Sequence, residues 1–340
     1  MKLRLATYNC ENLFSRARVL RLADATRRAE LMAEARTWQA WLARQARTGS
    51  RPAASRPGHD AAALARYLEL PAPGALPGEL RFRRSRIGTA HCEAKARVLR
   101  AVDADVQCLV EVEDRASLAA FNRRLLRGRY PYHLLLEGND ARAGHLGVLS
   151  RLPLAALRSH CFDRDAAGPI FSRDCLELEL ALPDDRTLHL LLNHFDGPDD
   201  GPADDARRRR QAAAVARIVA ERHDLSRELV AVLGDFNDSP QRGPQCLAPL
   251  LHLPRLSDVL ALQFPIPDDR WTGHRRRNEQ MDYILVSDAL RAAFRQAGAE
   301  RRGMPDLARN SIDREQPFDG ARRRADAASA RAAVWADFEL

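Results

Sequence analysis

LVAVLGDFND, at residues 229–238, carries the strongest local signal in the chain. Its apolar run predicts a buried strand, and Gly234 permits a tight exit from that strand. Asp235 and Asn237, two positions apart, then project to the same side. A carboxylate and an amide at the rim of a sheet can hold a hydrated divalent cation and orient a nucleophile. The alternative is an Asx turn that closes the strand, which is common for an isolated segment of this kind.

DADVQCLVEVED, at residues 103–114, predicts a second buried strand that ends in acids. Glu111 lies at its edge, and Glu113 is predicted on the same side of the strand. Hard cations such as Mg²⁺ take oxygen ligands, often one or two carboxylates together with water and substrate phosphate. An acid that ends a strand can also serve simply to solubilise the chain. The functional interpretation of Glu111 therefore depends on its neighbours.

Three more apolar strands end in polar residues that could be those neighbours. They are Asn9 in TYNCENLF, His194 in LLNHFDG and Asp282 in QMDYILVS. Each residue alone has an ordinary structural explanation. Five strand ends with these residue types together predict one functional site.

The remaining pattern favours two packed sheets with outer helices, because strands outnumber helices and do not alternate strictly with them. A helix is predicted at Glu93–Val102, and another at Ala206–Arg222 with Asp204 and Asp205 as capping candidates before it. Residues 15–85 look like an insertion that contains helices at 24–47 and 61–68 between linkers rich in Pro, Gly and Arg. We therefore expect residues 1–340 to form a single domain with this Arg/Ala/Pro-rich helical insertion.

Composition describes a folded protein with a basic surface. The chain has 340 residues, 45% of them hydrophobic, and a formal net charge of +8. Nearly all the basic residues are arginine, since lysine occurs only at Lys2 and Lys95. A coding bias toward Arg and Ala explains the total, yet Arg forks match phosphate oxygens and a basic surface attracts polyanions.

Neither a secretory signal nor a membrane-spanning segment is evident, so a cytoplasmic location is expected. The N-terminal apolar run is broken by Arg4 and Thr7. The six cysteines form no C-x-x-C pair and are scattered, which favours reduced core thiols. We expect no structural zinc site.

With these segments the sequence resembles the endonuclease/exonuclease/phosphatase family. This family includes nucleases of the exonuclease III and pancreatic deoxyribonuclease types, sphingomyelinases and inositol-polyphosphate phosphatases. The matching segments occur in the family's order and span nearly the whole chain outside the insertion, up to the terminal AAVWADFEL. The resemblance implies an α/β fold, a four-layer sandwich of two packed mixed β-sheets flanked by helices, as in deoxyribonuclease I. The segments are TYNCENLF, LVEVED, VLSR (148–151), FSRD (171–174), NHF (193–195), GDFND (234–238) and MDYILVS (281–287).

The resemblance also implies a role for each matching residue. Glu111 would ligate Mg²⁺ or Mn²⁺ with Asn9 beside it, and Asp282 would support the metal and the nucleophile. Asp235 would orient or deprotonate the attacking water, while Asn237 would hold a phosphate oxygen. His194 would donate a proton or a hydrogen bond near the scissile phosphate, and Arg173 would face that phosphate.

The chain departs from the family at its last catalytic triplet. Members usually close with Ser-Asp-His before the final strand, whereas this chain reads Ser329, Ala330, Arg331, and no histidine follows His274. Arginine cannot cycle a proton, but it can donate a fork of hydrogen bonds to phosphate. Loss of a proton-transferring His should cost roughly 10²–10⁴-fold in rate.

Two further positions bear on phosphate binding. Asp196 stands in NHFDG where the family often has a basic residue. Arg275, Arg276 and Arg277, in the loop before Asp282, either compensate for that acid or form an ordinary solvated loop.

Two functions from different classes follow. The first is a divalent-metal-dependent phosphodiesterase, a nuclease that uses in-line attack of water, with Arg331 in place of His at the phosphate. The second is a degenerate relative that binds nucleic acid or another phosphate ester without efficient turnover. A phosphomonoesterase or phospholipid phosphodiesterase ranks lower, because no lipid-specific apolar loop is evident, and a monomer is assumed.

Overall fold

The computed structural model describes most of the chain at residue level. The described residues are 1–13, 25–48, 68–69, 81–82, 90–140, 144–197, 202–239, 245–274, 277–305, 316–319 and 327–340. The predicted short helix at 61–68 lies outside them, except for Leu68, which begins a two-residue strand.

The chain divides into two compact units. One comprises Met1–Phe14 and Gly88–Leu340, and the other comprises Ser15–Ile87. In the second unit, a long helix at Ala25–Thr48 presents Trp38 and Trp41, whose rings meet edge to face at 5.8 Å. The assignment of residues 1–340 to a single domain stays a prediction.

Strands are numbered in chain order through both units. They are β1 (Lys2–Leu13), β2 (Leu68–Glu69), β3 (Arg81–Phe82), β4 (Val106–Val112), β5 (Tyr132–Leu136), β6 (His145–Ser150), β7 (Leu154–Ser159), β8 (Arg164–Asp165), β9 (Gly168–Pro169), β10 (Cys175–Ala181), β11 (Thr187–His194), β12 (Leu229–Asp235), β13 (Leu256–Asp258), β14 (Gly273–His274), β15 (Asn278–Glu279), β16 (Asp282–Ser287), β17 (Phe294–Glu300) and β18 (Ala333–Glu339).

The α-helices are numbered in the same way. They are α1 (Ala25–Thr48), α2 (Ala90–Val102), α3 (Arg115–Leu125), α4 (Pro202–Arg222), α5 (Ala248–Leu251), α6 (Val259–Gln263) and α7 (Asp288–Ala292). Among the helices so described, none is long and apolar enough to cross a lipid bilayer.

Two six-stranded mixed sheets form the centre of the larger unit. The first has the order β17-β18-β1-β4-β6-β5, and the second has the order β13-β16-β12-β11-β10-β7. Each contains one parallel pair, β1 with β4 and β11 with β12, among antiparallel neighbours. The predicted α/β sandwich of two packed mixed sheets is confirmed.

The core lies between the sheets and follows the alternation of the strands. Leu188, Leu190 and Leu192 of β11 face inward and join a buried cluster that also contains Leu5 of β1 and Val110 of β4. Because successive side chains alternate, the odd-numbered residues of β11 face the outer helical layer. The same alternation determines the face of the sheet on which each polar side chain at a strand end lies.

Helix α4 covers the outer face of the second sheet. Ala212, Val215 and Val219 lie along one side of the helix and pack with Leu191 of β11 and Val230 of β12. This apolar stripe allows the arginine-rich helix to pack against the sheet.

The start of α4 differs from the prediction. The helix begins at Pro202, so Asp204 and Asp205 lie within its first turn rather than before it. Proline suits the first helical position because its missing N–H has no acceptor there, and acids in the first turn favour the positive end of the helix dipole.

The cysteine prediction is confirmed. All six thiols are free and buried. Burial raises the pKa of the Cys108 thiol to about 12, which is expected of an unreactive core residue.

Candidate active site

Three neighbouring strands of the second sheet align their polar ends in one row. His194 of β11 pairs with Asp235 of β12 in parallel register, and Asp235 pairs with Asp282 of β16 in antiparallel register. Asp235 and Asp282 are fully buried, and His194 is nearly so. The sheet register alone therefore places an imidazole and two carboxylates side by side.

The first sheet brings an amide and a third carboxylate to this row. The Nδ2 of Asn9 donates to Oδ2 of Asp235 at 2.8 Å and to Oε1 of Glu111 at 3.3 Å. The Nε2 of His194 lies 3.9 Å from the same Glu111 oxygen. Because β1 and β4 run parallel, Asn9 and Glu111 reach the same end of the first sheet.

Arg331 extends into the middle of these groups. Its Nη2 donates to Oδ1 of Asn237 at 2.6 Å and lies 3.1 Å from Oδ2 of Asp235. Its Nη1 is 3.7 Å from Oδ2 of Asp282 and has no hydrogen-bond partner among the described residues. The guanidinium thus spans both buried carboxylates and leaves one buried donor unused.

Three residues hold the site in backbone conformations that are unusual for their position. Gly234 has φ +139°, and a Cβ there would lie 1.9 Å from the carbonyl oxygen of Asn193. Asn237 and Glu111 have φ of 50° and 63°. Asn adopts this left-handed region readily, but Glu does so at a cost, which points to a functional constraint at Glu111.

Several supporting contacts were not predicted from the sequence. Thr272 belongs to no motif, and Ser329 and Ala330 were interpreted only as part of the altered triplet. The buried Thr272 hydroxyl donates to Oδ2 of Asp282 at 2.6 Å and accepts from the backbone N–H of Asp282 at 3.1 Å. The Ser329 hydroxyl donates to the carbonyl oxygen of Asn9 at 2.8 Å, and the Ala330 N–H donates to Glu11 at 2.6 Å. The only signal for Thr272 is its place in WTG, just before β14.

Arg173 lies at one side of the site. Its Nη1 donates to the carbonyl oxygen of Phe195 at 3.3 Å, an acceptor that it shares with Nδ2 of Asn237. The same nitrogen is 3.5 Å from Oδ1 of Asp196. The acid that replaces the family's basic residue is therefore paired with Arg173.

Charge and burial act against each other within the site. Burial raises the pKa of Asp282 well above its usual range, and the neighbouring Asp235 adds to the increase. Burial also raises the pKa of Glu111. Burial disfavours the charged form of Arg331, but Asp235 and Asp282 outweigh that effect and raise its pKa. The cluster therefore favours any cation that enters it.

The donor chemistry fits a hard divalent cation. Carboxylate and amide oxygens are the ligands that Mg²⁺ prefers. The Oδ1 of Asp282 is buried and has no hydrogen-bond partner among the described residues. Such an acceptor is costly unless a cation, a water molecule or a substrate completes it.

The structure brings together all eight residues singled out from the sequence, and they are Asn9, Glu111, Arg173, His194, Asp235, Asn237, Asp282 and Arg331. Asn9 turns its amide nitrogen to the carboxylates, while its oxygen accepts from the N–H of Glu11 at 2.8 Å. In the arginine run, Arg277 pairs with Glu279 at 3.1 Å, and Arg275 and Arg276 lie outside the described residues.

Comparison with known proteins gives a family and a fold. The sequence model of the endonuclease/exonuclease/phosphatase family matches residues 96–305. No curated protein matches the chain in sequence.

Solved structures resemble the chain along its length at low sequence identity. A humanised D. rerio TDP2 is 14% identical, with a TM-score of 0.54 over 100% of this chain and 99% of the other. An endonuclease/exonuclease/phosphatase from Beutenbergia cavernae is 14% identical, with a TM-score of 0.57 over 100% and 72%. D. rerio TDP2 complexed with single-strand DNA product is 18% identical, with a TM-score of 0.52 over 74% and 94%.

Proposed function

The chain belongs to the endonuclease/exonuclease/phosphatase family, and we propose that it is a Mg²⁺- or Mn²⁺-dependent phosphodiesterase that hydrolyses nucleic acid. The observation that carries the proposal is the convergence of three carboxylates, Glu111, Asp235 and Asp282, with the Arg331 guanidinium in one cluster. Hydrolysis of a phosphodiester needs both kinds of group, because a nucleophile must be oriented and negative charge must be stabilised.

Glu111 would hold the cation, with Asp282 supporting it and Asn9 fixing the Glu111 carboxylate through its amide nitrogen. When bound, such a cation supplies neutralisation of the charge that develops on the phosphate oxygens. Glu111 suits this task because Asn9 and the Asn12 backbone N–H each donate to one of its oxygens. Its position is therefore set before any ligand arrives.

Asp235 would orient and deprotonate the attacking water. Its two oxygens accept from the side chain of Asn9 at 2.8 Å and from the backbone N–H of Asn237 at 2.9 Å. These bonds fix the direction of the carboxylate, which matters because a general base must lie within hydrogen-bond reach of the proton that it takes.

Asn237, His194, Arg173 and Arg331 would contact the phosphate. The unused Nη1 of Arg331 is the clearest donor for a phosphate oxygen, since it is buried and lacks a partner among the described residues. Arg331 cannot return a proton to the leaving group, so that proton would come from His194 or from solvent. We therefore expect slow turnover.

Nucleic acid is the proposed substrate for two reasons. The net charge of +8 favours a polyanion. The D. rerio relative was solved with a single-strand DNA product, which supports the same substrate class for this chain.

The test is hydrolysis of a labelled single-stranded oligonucleotide in Mg²⁺. Asp235→Asn should lower the rate by about 10²–10⁴-fold, and removal of the metal by a chelator should abolish hydrolysis. The matched control is Asp184→Asn, at an exposed residue in the turn before β11. This variant should cleave the oligonucleotide at the normal rate. Full activity of Asp235→Asn would rule the proposal out.

A second function is favoured by one contact. The Nη2 of Arg331 lies 3.1 Å from Asp235, so the proposed base is paired with a permanent cation in the ligand-free protein. On this alternative the chain binds nucleic acid but barely hydrolyses it. The double variant Ala330→Asp with Arg331→His should then raise hydrolysis by orders of magnitude, and a folded double variant without any gain would count against it.

A further inference from the structure

A cluster of imidazole and carboxylate groups lies outside the proposed active site. His189 lies on β11, His223 directly follows α4, and Glu228 directly precedes β12. One potential ligand atom from each of these three residues lies within 4.8 Å of the other two. We propose that His189, His223 and Glu228 form a binding site for Zn²⁺ that joins β11, the end of α4 and the start of β12.

Each histidine has one buried ring nitrogen that makes no hydrogen bond within the described part of the chain. Nδ1 of His189 and Nε2 of His223 are buried and make no hydrogen bond with the described residues. The His223 side chain is only 3% exposed. The two rings face each other at a tilt of 55°, with 4.9 Å between their centroids. An imidazole nitrogen left in this state is costly unless a proton or a metal ion occupies it.

One ring nitrogen of His223 faces Glu228, and the other faces Glu177. The Nδ1 of His223 hydrogen-bonds with Oε2 of Glu228 at 2.9 Å. A ligating histidine commonly donates its other ring N–H to a carboxylate, which fixes the tautomer and directs the free nitrogen at the metal. Nδ1 of His223 and the Glu228 carboxylate therefore lie together as ligands, and Nε2 is the ring nitrogen that a carboxylate, Glu177, would hold.

Surrounding charge favours a cation at this position. Oε1 of Glu177 lies 3.4 Å from Nε2 of His223. An N–H donated to Glu177 from this nitrogen leaves Nδ1 as the nitrogen that binds a metal ion, and the negative charge of Glu177 favours that ion. Glu177 is already bound by both ends of the Arg222 guanidinium, so it supplies charge rather than a free ligand.

The ligand set selects the class of ion. Two imidazoles and a carboxylate suit Zn²⁺ and similar transition metals, whereas Mg²⁺ prefers oxygen alone. Donors around tetrahedral zinc are about 3.4 Å apart, so small side-chain rotations would complete the site. The Glu228 side chain is 40% exposed and offers a path from solvent.

The site is separate from the proposed catalytic centre. His189 and His194 lie five positions apart on the same strand, which corresponds to about 17 Å. The cysteine pattern had predicted no structural zinc site, and none of these three ligands is a cysteine. The expected role is structural, since the ion would tie three consecutive elements together.

The test is a calorimetric titration of Zn²⁺ into the metal-stripped protein, with Mg²⁺ present in excess. The wild type should bind one equivalent of Zn²⁺. His189→Leu and His223→Gln should each bind it at least about 100-fold more weakly. His252→Gln, at an exposed histidine after α5, is the matched control and should bind as the wild type does. Cobalt substitution should give the visible absorption of a tetrahedral site in the wild type and in this control, and in neither ligand variant.

A Glu111→Gln variant separates the two centres. It should keep the Zn²⁺ equivalent, and Zn²⁺ should raise its melting temperature as it does that of the wild type. Loss of the equivalent in Glu111→Gln, or its persistence in folded His189→Leu, would overturn the proposal. If His223→Gln fails to fold, His189→Leu decides the matter, because leucine suits a half-buried strand position. Oligonucleotide hydrolysis by His189→Leu should be unchanged, so failure of this site leaves the proposed function untouched.

Discussion

Arg331 places a permanent charge where the family's motif has an imidazole. Its contacts with Asp235 and Asn237 explain why an arginine can be buried there at all, because each buried donor or charge needs a partner. Ala330 takes the place of the family's aspartate, and an orienting carboxylate would have no imidazole to orient. The two changes are therefore consistent with each other.

Residues at strand ends were predictable, whereas the residues that support them were not. Asn9, Glu111 and Asp235 each end an apolar run, and the pairing of strands then brings them together. Thr272 lies in a loop, and its importance appears only when its hydroxyl is seen against Asp282. His189 and His223 belong to no motif, and their proximity depends on how α4 returns to the sheet.

Thr272→Val should weaken both the fold and the proposed activity. The substitution removes the hydroxyl that donates to Asp282 and accepts from two backbone N–H groups, those of Met281 and Asp282. We expect the free energy of unfolding to fall by about 1–3 kcal/mol, with a lower kcat/KM for oligonucleotide hydrolysis. Urea unfolding and steady-state kinetics would measure these changes.

Thr272→Ser is the matched control, because it keeps the hydroxyl and loses only a methyl group. It should retain most of the stability and most of the activity. Equal behaviour of the Val and Ser variants would show that the hydroxyl has no part in positioning Asp282.

At the level of elements, buried strands were predicted well because both of their faces are covered. β11 and β12 form nearly continuous apolar runs, and both were predicted as apolar strands that end in polar residues. β7 was missed because it is an edge strand with mostly exposed side chains. α3 was also missed, although Asp114 caps it by accepting from the Ser117 N–H at 2.7 Å. The acids before α3 were interpreted only as the end of a strand.

Gly234→Ala should disrupt the exit of β12 far more than an ordinary glycine substitution would. The new Cβ would overlap the carbonyl oxygen of Asn193 on the neighbouring strand, and φ is +139°. We expect a loss of about 4 kcal/mol or more in the free energy of unfolding, measured by denaturant unfolding. Gly128→Ala is the control, because φ is +67° there and nothing lies within 4 Å of the added carbon. It should lose only about 1 kcal/mol, and similar losses in both variants would contradict the steric argument.

At the scale of the whole molecule, the two-sheet architecture was predictable from the excess of strands over helices and from the family resemblance. Strand pairing across distant parts of the chain was not, since β18 pairs with β1 at the opposite end of the sequence. No local pattern encodes such a pairing. The resemblance predicted the two-sheet fold but not this pairing, whose register runs from Lys2 with Glu339 to Thr7 with Val334.

Removal of the second unit tests how the chain is organised. Every strand of both six-stranded sheets, and every residue proposed for catalysis, belongs to Met1–Phe14 or Gly88–Leu340. Replacing Ser15–Ile87 with a flexible Gly/Ser linker should therefore leave a protein that unfolds cooperatively and keeps its Mg²⁺-dependent hydrolysis within about threefold, because surface loops tolerate large changes in length. Circular dichroism melts and oligonucleotide cleavage would measure both properties. A variant that folds but loses cleavage would assign substrate binding to the removed unit, whereas a variant that cannot fold would show that the two units form one cooperative domain.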